Sequence, residues 1–258
     1  QLPAYADAEV SPTLAKLTKN PDYRLFDILY NSLPDTHKQI LTTQYRMIEN
    51  IGNLISKVFY RGIIDTGCND DEKRHGLSRY VGKSIVWFDT SANKKKSQKR
   101  TKGGSYINEE EKRIILEILD DLKSTGELKG LDIGIITGYS GQKELLRKSI
   151  KATGLDKIAS KIDINTLDAF QGRENDIIIY STVRTRDSIG FQKEKERVNV
   201  AFSRAKKLLI VCGDRNFFYN FDDQDNKFVE IIDYISEGEE CEIIQCDGGK
   251  LFERESNS

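Results

Sequence analysis

Short apolar runs alternate with amphipathic segments along most of the chain. Continuous Ile, Val and Leu runs are typical of strands that are covered on both faces, and they occupy residues 85–88, 133–137, 162–167, 176–183 and 208–213. Helical periodicity lies between them, at 49–60, 109–124, 140–152 and 195–206. This order predicts an α/β fold in which helices flank a parallel sheet with right-handed crossovers.

Proline positions indicate how the chain is divided. All four prolines lie before residue 38, which favours a connecting or terminal segment at 1–37 over the core of a sheet. We predict a sheet domain at 38–222 and a C-terminal extension at 223–258. Because the chain begins with Gln and not Met, we expect a fragment or a processed product.

Composition narrows the class of protein. The chain has 258 residues, 31% of them charged, with a formal net charge of -1. Near-neutral charge argues against a globally basic nucleic-acid binder and leaves room for a local basic groove. No apolar run approaches the length of a membrane span, and the four cysteines have no CxxC spacing. We therefore expect no membrane partner, no metal site and a cytoplasmic protein with reduced thiols, or a nuclear one in a eukaryote.

Two polar features stand beside the apolar pattern. Asn108 and Glu111 have the spacing of a capping box, which predicts the start of the helix at 109–124. Residues 94–102, KKKSQKRTK, carry a dense positive charge. Their simplest interpretation is a mobile, solvated loop, and a phosphate-binding loop beside a nucleic-acid groove is the alternative.

The stretch RVNVAFSRAKK, residues 197–207, places two arginines in a helical register. Arg197 and Arg204 are seven residues apart, so a continuous helix would carry both on one face. Arg197 has two open interpretations, since it could brace the helix or contact a nucleic-acid phosphate.

Residues 166–176 follow a predicted strand and are unusually polar. An open α/β sheet binds its ligands at the carboxyl ends of the strands, so we expect the site there. The GKS at residues 82–84 does not complete a phosphate-binding loop, because Leu77 occupies the position that requires glycine and a strand follows. The chain alone is therefore not expected to bind a nucleoside triphosphate tightly.

Four segments in this order resemble the second RecA-like domain of superfamily 1 helicases, most of all the Upf-type group that moves 5′ to 3′. They are LTTQYRM at 41–47, IITGYSGQK at 135–143, INTLDAFQGRENDIIIYSTVR at 164–184 and RVNVAFSRAKKLLIVCGD at 197–214. The chain departs from the family at Ile48 and Glu49, where His-Pro is usual, and at Gly138, where Pro is usual. These departures leave open whether the substrate is DNA or RNA.

The resemblance implies that ATP, with Mg²⁺, binds in a cleft between this domain and the first RecA-like domain, whose trailing segment would be residues 1–37. It assigns Arg204 as the arginine finger and Arg46 as a second γ-phosphate contact, because guanidinium groups bind phosphate oxygens in pairs. Gln1 would sense the same phosphate. The expected nucleotide-binding residues are Tyr45 on the adenine, Glu174 on the ribose hydroxyls and the neighbouring Gly172.

Single-stranded DNA or RNA is the partner that the resemblance implies. Thr166 is the expected phosphate contact, and the further candidates for phosphate, sugar or stacking contacts are Tyr139, Gln142, Gln171 and Arg184. Such contacts to the backbone predict little sequence preference. The whole is interpreted as the C-terminal motor domain of an ATP-dependent helicase, inactive as an isolated fragment because it lacks the Walker A and Walker B motifs.

Two alternatives come from other classes of protein. One is a non-catalytic nucleic-acid-binding or partner-docking module with a helicase-like fold. The other treats Asp163, Asp168, Glu174 and Asp176 as the metal cluster of a nuclease, which requires these carboxylates to converge on one ion.

Overall fold

A computed structural model of the chain describes residues 25–127, 130–155, 162–167, 170 and 173–252. The chain separates into two compact units, residues 1–42 and residues 43–258. The described part of the first unit contains helix α1 (Leu25–Ser32) and a 3₁₀ turn at Asp35–His37. The predicted boundaries near residues 37 and 222 remain predictions.

The second unit contains the remaining elements. Its strands are β1 (Thr43–Gln44), β2 (Asp65–Thr66), β3 (Ile85–Asp89), β4 (Lys99–Arg100), β5 (Tyr106–Ile107), β6 (Ile133–Thr137), β7 (Ile162–Thr166), β8 (Asn175–Ser181), β9 (Ala205–Gly213) and β10 (Cys241–Gln245). Its helices are α2 (Glu49–Tyr60), α3 (Glu109–Ser124), α4 (Ser140–Thr153), α5 (Lys195–Phe202), α6 (Arg215–Tyr219) and α7 (Phe228–Glu237).

A parallel sheet forms the centre of this unit, with the strand order β10-β3-β9-β8-β6-β7. Strands β3, β6, β8 and β9 are buried almost throughout, because helices cover both faces. The apolar stripe of α3 packs on one face, where Ile114, Ile118 and Leu122 are fully buried. The predicted α/β fold with a parallel sheet is confirmed.

Helix α5 is shorter than the predicted helix at 195–206. It ends at Phe202, and β9 already begins at Ala205, where it pairs with Asn175 of β8. Arg204 lies in the turn between the two elements, and its carbonyl accepts a hydrogen bond from the backbone N–H of Asn175 at 3.1 Å. The expectation that Arg197 and Arg204 share a helix face is wrong, since sheet pairing overrides the helical pattern.

The segment between β7 and β8 divides the predicted polar site between two edges of the sheet. Thr166 ends β7 at the carboxyl edge, whereas Glu174 immediately precedes β8 at the amino edge. Arg204 precedes β9 at the amino edge as well. The seven residues of β8 separate the two edges by about 20 Å at a rise of roughly 3.3 Å per residue. The expectation that residues 166–176 form one site at the carboxyl edge is therefore wrong for Glu174, which lies at the amino edge with Arg204.

Candidate functional site

At the amino edge, two arginines and one carboxylate that are distant in the sequence form a compact group. Arg46 Nε donates to Glu174 Oε2 at 2.7 Å, and Arg46 Nη1 donates to the carbonyl of Ser203 at 3.3 Å. The next residue, Arg204, completes the group. We name Arg46, Glu174 and Arg204 the arginine cluster. Two cations share one carboxylate, so the cluster has an excess positive charge that suits an anion.

Arg204 is held in place by backbone carbonyls. Its Nε donates to the carbonyl of Val200 at 3.1 Å, and its Nη1 donates to the carbonyl of Arg173 at 3.1 Å. Only 9% of the residue is exposed. Burial lowers the pKa of Arg204, the Arg46 charge lowers it further and the Glu174 carboxylate raises it. The guanidinium is thus fixed by neutral acceptors, and it shares the Glu174 carboxylate with Arg46.

The turn that presents Arg46 is built by Gln44, which the sequence reasoning missed. The side-chain oxygen of Gln44 accepts hydrogen bonds from the backbone N–H groups of Arg46 at 2.9 Å and Met47 at 2.8 Å. Its Nε2 donates to the carbonyl of Met47 and to Thr66 Oγ1 at 2.9 and 2.7 Å. The sequence does carry a signal for this turn. Gln44 lies two residues before Arg46, and a side-chain amide at that spacing can accept hydrogen bonds from the backbone of the following residues.

Tyr45 lies beside the arginine cluster with its ring open to solvent. The residue is 69% exposed, and it borders Gly67, where a Cβ atom would come within 2.5 Å of the Tyr45 ring. Lys73 Nζ donates to the carbonyl of Arg46 at 3.0 Å and binds the Tyr45 carbonyl as well. A fixed backbone with an uncovered ring suits stacking on a planar base. The predicted Gln1 and Gly172 lie outside the described residues.

At the carboxyl edge, aromatic and charged side chains of both signs line a cleft of about 640 Å³. The acids are Glu194, Glu196 and Asp225. The Arg184 guanidinium lies 4.2 Å from the centre of the Tyr106 ring, and the Tyr139 ring lies 5.7 Å from Tyr106 and 5.5 Å from Phe191. We name Tyr106, Tyr139, Arg184 and Phe191 the aromatic cleft. Phe191 is 46% exposed, so the cleft offers an uncovered aromatic face.

Tyr139 and Arg184 form the floor of this cleft. Both are largely buried. Burial raises the pKa of Tyr139, and the nearby Arg184 charge lowers it. Gly190 has a φ of 62° and passes so close that a Cβ atom there would lie 2.1 Å from the Tyr139 hydroxyl. The structure therefore brings together Tyr139 and Arg184, which the sequence proposed, with Tyr106 and Phe191, which it did not.

The other candidates for nucleic-acid contact are in different environments. Thr166 is partly exposed at the carboxyl end of β7, opposite Thr137 in the register. Gln142 is fully buried, where its amide bonds both the N–H and the carbonyl of Asn108 and also the hydroxyl of Ser181. Gln142 is therefore not accessible to a nucleic-acid strand, and its contacts link α3 to α4 and β8. Gln171 lies outside the described residues.

Arg197 braces the end of the cleft. Its Nε donates to Glu194 Oε2 at 2.8 Å, and its guanidinium lies 5.3 Å from the Phe191 ring centre. Of the two interpretations of this residue, these contacts fit a brace that positions Phe191.

A buried carboxylate lies behind the cleft. Glu111 accepts hydrogen bonds from the Val183 backbone N–H at 2.9 Å, Ser181 Oγ at 2.6 Å and Thr182 Oγ1 at 3.1 Å. Val183 has a φ of 69°, and the N–H of Arg184 donates to the carbonyl of Thr182 at 2.8 Å, which defines a strained γ-turn. Glu111 thus holds the turn that positions Arg184.

This arrangement differs from the predicted capping box. Asn108 caps α3 through the N–H groups of Glu110 and Glu111, as expected. Glu111 does not return a bond to the Asn108 backbone, whose N–H donates to Gln142. Asn108 Nδ2 also donates to Glu111 Oε1, at 3.2 Å, so four donors bind this carboxyl group. They do not offset its burial, which raises its pKa to about 8.

The described residues do not fit a Mg²⁺ site. Among them, no group of three or more His, Cys, Asp or Glu side chains could hold a metal ion. Glu174 is bound to Arg46, Asp163 to Arg173, and Asp176 to Lys206 and Lys207. These carboxylates do not converge as a nuclease cluster would require, and Asp168 lies outside the described residues. None of the described helices is long and apolar enough to cross a membrane.

Comparisons with known proteins identify the family of this chain. The AAA domain family matches residues 22–216, more than half of the chain, so the chain belongs to that family. Helicase SEN1 of Saccharomyces cerevisiae is 36% identical over 185 residues, which are 67% of this chain and 8% of that protein. ATP-dependent helicase NAM7 of the same yeast is 32% identical over 193 residues, 70% of this chain and 20% of that protein. DNA polymerase alpha-associated DNA helicase A of Schizosaccharomyces pombe is 29% identical over 248 residues, which are 87% of this chain and 36% of that protein.

Within the family, the chain is a Upf1-like superfamily 1 helicase region that corresponds to the second RecA-like domain. The predicted resemblance is thereby confirmed. The chain spans between 8% and 36% of the length of these three relatives.

Proposed function

We propose that this chain is the second motor domain of an ATP-dependent helicase that acts on single-stranded nucleic acid. The observation that carries the proposal is the joint presence of two features at opposite edges of one sheet. The arginine cluster offers excess positive charge at the amino edge, and the aromatic cleft offers stacking surfaces and cations at the carboxyl edge.

In this proposal, Arg46 and Arg204 supply positive charge to the terminal phosphate of ATP held by the first RecA-like domain. Guanidinium groups that are held in place by hydrogen bonds, as both are here, stabilise developing negative charge without reorganising. Glu174 positions Arg46 and has free acceptor capacity for ribose hydroxyls, and the exposed Tyr45 ring covers the base. ATP supplies the free energy through hydrolysis of its terminal phosphoanhydride. In this proposal the ligands of the Mg²⁺ that accompanies ATP lie in the first domain.

The aromatic cleft contributes half of the strand-binding groove. Its rings stack on bases of any identity, and Arg184 and Lys195 supply positive charge to the phosphates, so little sequence preference is expected. Thr166 contributes a hydroxyl at the same edge. The rigid sheet between the two sites joins them mechanically, so that domain closure at one edge changes the grip at the other.

The test is the ATPase rate of the full-length protein with and without single-stranded DNA and RNA. Arg204→Ala is expected to lower the stimulated rate by roughly 10³-fold or more. Lys207→Ala removes a cation three residues away and is the matched control, and circular dichroism checks that each variant folds. A stimulated rate that Arg204→Ala leaves intact disproves the finger assignment. Strand binding without any ATPase activity in the wild type would instead favour the non-catalytic module.

A further inference from the structure

The basic segment after β3 is an anchored hairpin. Strands β4 and β5 pair in antiparallel register, with Lys99 opposite Ile107 and Arg100 opposite Tyr106. The turn between them is closed by hydrogen bonds from Thr101 to Ser105 and from Gly104 to Thr101. We name residues 94–107 the basic hairpin. The charge density of this segment predicts a mobile, solvated loop, whereas the structure shows an ordered hairpin.

Specific polar contacts fix the basic hairpin to the carboxyl edge of the sheet. Lys96 Nζ lies 2.7 Å from Oδ2 of the buried Asp214, and the carbonyl of Lys96 accepts a hydrogen bond from Asn108. Gln98 and Thr185 exchange two bonds, in which each backbone N–H donates to the other side chain. Both bonds join the hairpin to Thr185, the residue after Arg184.

The remaining cations of the hairpin face solvent. Residues 94–107 contain six cations and no acid, and of these only Lys96 has an ion-pair partner within the part of the chain that the structure describes. The other five are exposed, namely Lys94, Lys95, Lys99, Arg100 and Lys102. The nearest acids on α3 do not compensate them, since Glu109 is paired with Lys112 and Glu110 with Arg113. Uncompensated charge at this density favours a polyanionic partner.

The position of the hairpin indicates which polyanion. Tyr106 belongs both to the basic hairpin and to the aromatic cleft, and Arg100 lies directly across from it in the register. Cross-strand partners have Cα atoms about 5 Å apart and project from the same face, so Arg100 continues the line of the cleft. Lys95 and Lys99 instead border the acidic start of α3. A ligand that enters the cleft with its bases would pass its phosphates along the hairpin.

We propose that the basic hairpin binds the phosphate backbone of the single strand whose bases occupy the aromatic cleft. The proposal rests on the proposed function only in taking the cleft as a nucleic-acid site. The hairpin adds sequence-independent affinity through charge, whereas the cleft adds affinity through stacking. These two contributions respond differently to salt, which makes them separable.

The experiment measures binding of this chain to labelled oligothymidylate and oligouridylate by fluorescence anisotropy over a series of salt concentrations. Each lost phosphate contact lowers the magnitude of the slope of log K against log salt by about 0.7 on a single strand, so Arg100→Gln with Lys102→Gln is expected to lower it by about 1.4. Arg100→Lys with Lys102→Arg keeps the charge and is expected to keep the slope. The slope change is expected with both oligonucleotides, because they share the phosphodiester backbone.

Lys148→Gln with Lys151→Gln, two exposed lysines on α4, is the matched control and is expected to keep the wild-type slope. An unchanged slope in the hairpin variant, or an equal change in the α4 control, overturns the proposal. If Phe191→Ala weakens binding while the hairpin variant keeps the slope, the cleft remains a nucleic-acid site and the hairpin proposal alone fails. Absence of binding by the wild-type chain to either oligonucleotide overturns both.

Discussion

Arg46 Nε lies 2.7 Å from Glu174 Oε2, although 128 residues separate the two in the sequence. This pair joins the QYRM turn to the segment before β8, and both partners are over a third exposed. An exposed ion pair contributes at most about 1 kcal/mol to stability. Its main effect is therefore to set the direction of the Arg46 guanidinium.

Glu174→Gln tests that role of the carboxylate. The change removes the charge and keeps the shape, so the melting temperature is expected to change little. Weaker hydrogen bonds to the ribose and to Arg46 are expected to raise KM for ATP about tenfold, which corresponds to roughly 1.4 kcal/mol. Steady-state ATPase kinetics of the full-length protein measure it, and an unchanged KM would argue against the ribose assignment.

Gln44→Ala tests the turn that carries Arg46. The variant removes the four hydrogen bonds of the Gln44 side chain and leaves two backbone N–H groups without their acceptor. We expect a loss of about 2–3 kcal/mol in the free energy of unfolding and a lower ATPase rate. Denaturant titration measures the first effect. Gln44→Glu keeps the acceptor oxygens and is expected to recover part of the stability, so equal losses in both variants would contradict this account.

Phe191→Ala tests the exposed face of the aromatic cleft. Stacking of one base on an aromatic ring contributes roughly 1–3 kcal/mol, so the affinity for a single strand is expected to fall by that amount. The salt slope should not change, because no charge is removed. Tyr219→Ala removes a ring of similar exposure, 42% against 46%, outside the cleft and serves as the control. Equal effects of the two variants would remove the special role of Phe191.

Glu111→Gln tests the buried carboxylate behind the cleft. Burial raises the pKa of Glu111 from 4.5 to about 8 in the folded protein, so the folded state binds this proton more tightly than the unfolded state. The resulting stability is present below pH 4.5 and is lost as the pH rises through about 8. Relative to Glu111→Gln, the wild-type free energy of unfolding should fall with pH in this window, by up to about 1.4 kcal/mol per pH unit.

Denaturant titrations of the wild type and of Glu111→Gln between pH 4.5 and about 8 measure the difference in their free energies of unfolding. Glu109→Gln, at a partly exposed position of the same helix, is the matched control. A difference between wild type and Glu111→Gln that does not vary with pH would show that Glu111 keeps its charge throughout.

The sequence was sufficient for the central sheet but not for the sites at its edges. Strands β3, β6 and β9 are long apolar runs, whose burial on both faces follows from composition alone. The end of α5 was not predictable, because pairing between Ala205 and Asn175 depends on a strand thirty residues earlier. Residues that act through tertiary contacts, such as Gln44 and Glu111, carry no periodic signal, and their roles follow only from the partners they meet.

The central claim is that Arg46 and Arg204 act on one phosphate group. The most direct test is a double-mutant cycle on the nucleic-acid-stimulated ATPase rate, with Arg46→Ala, Arg204→Ala and the double variant in the full-length protein. We predict that the double variant is scarcely slower than the slower single variant, because groups that act as a unit have non-additive effects. Rate losses that multiply independently, or a single variant with the wild-type rate, would contradict the claim.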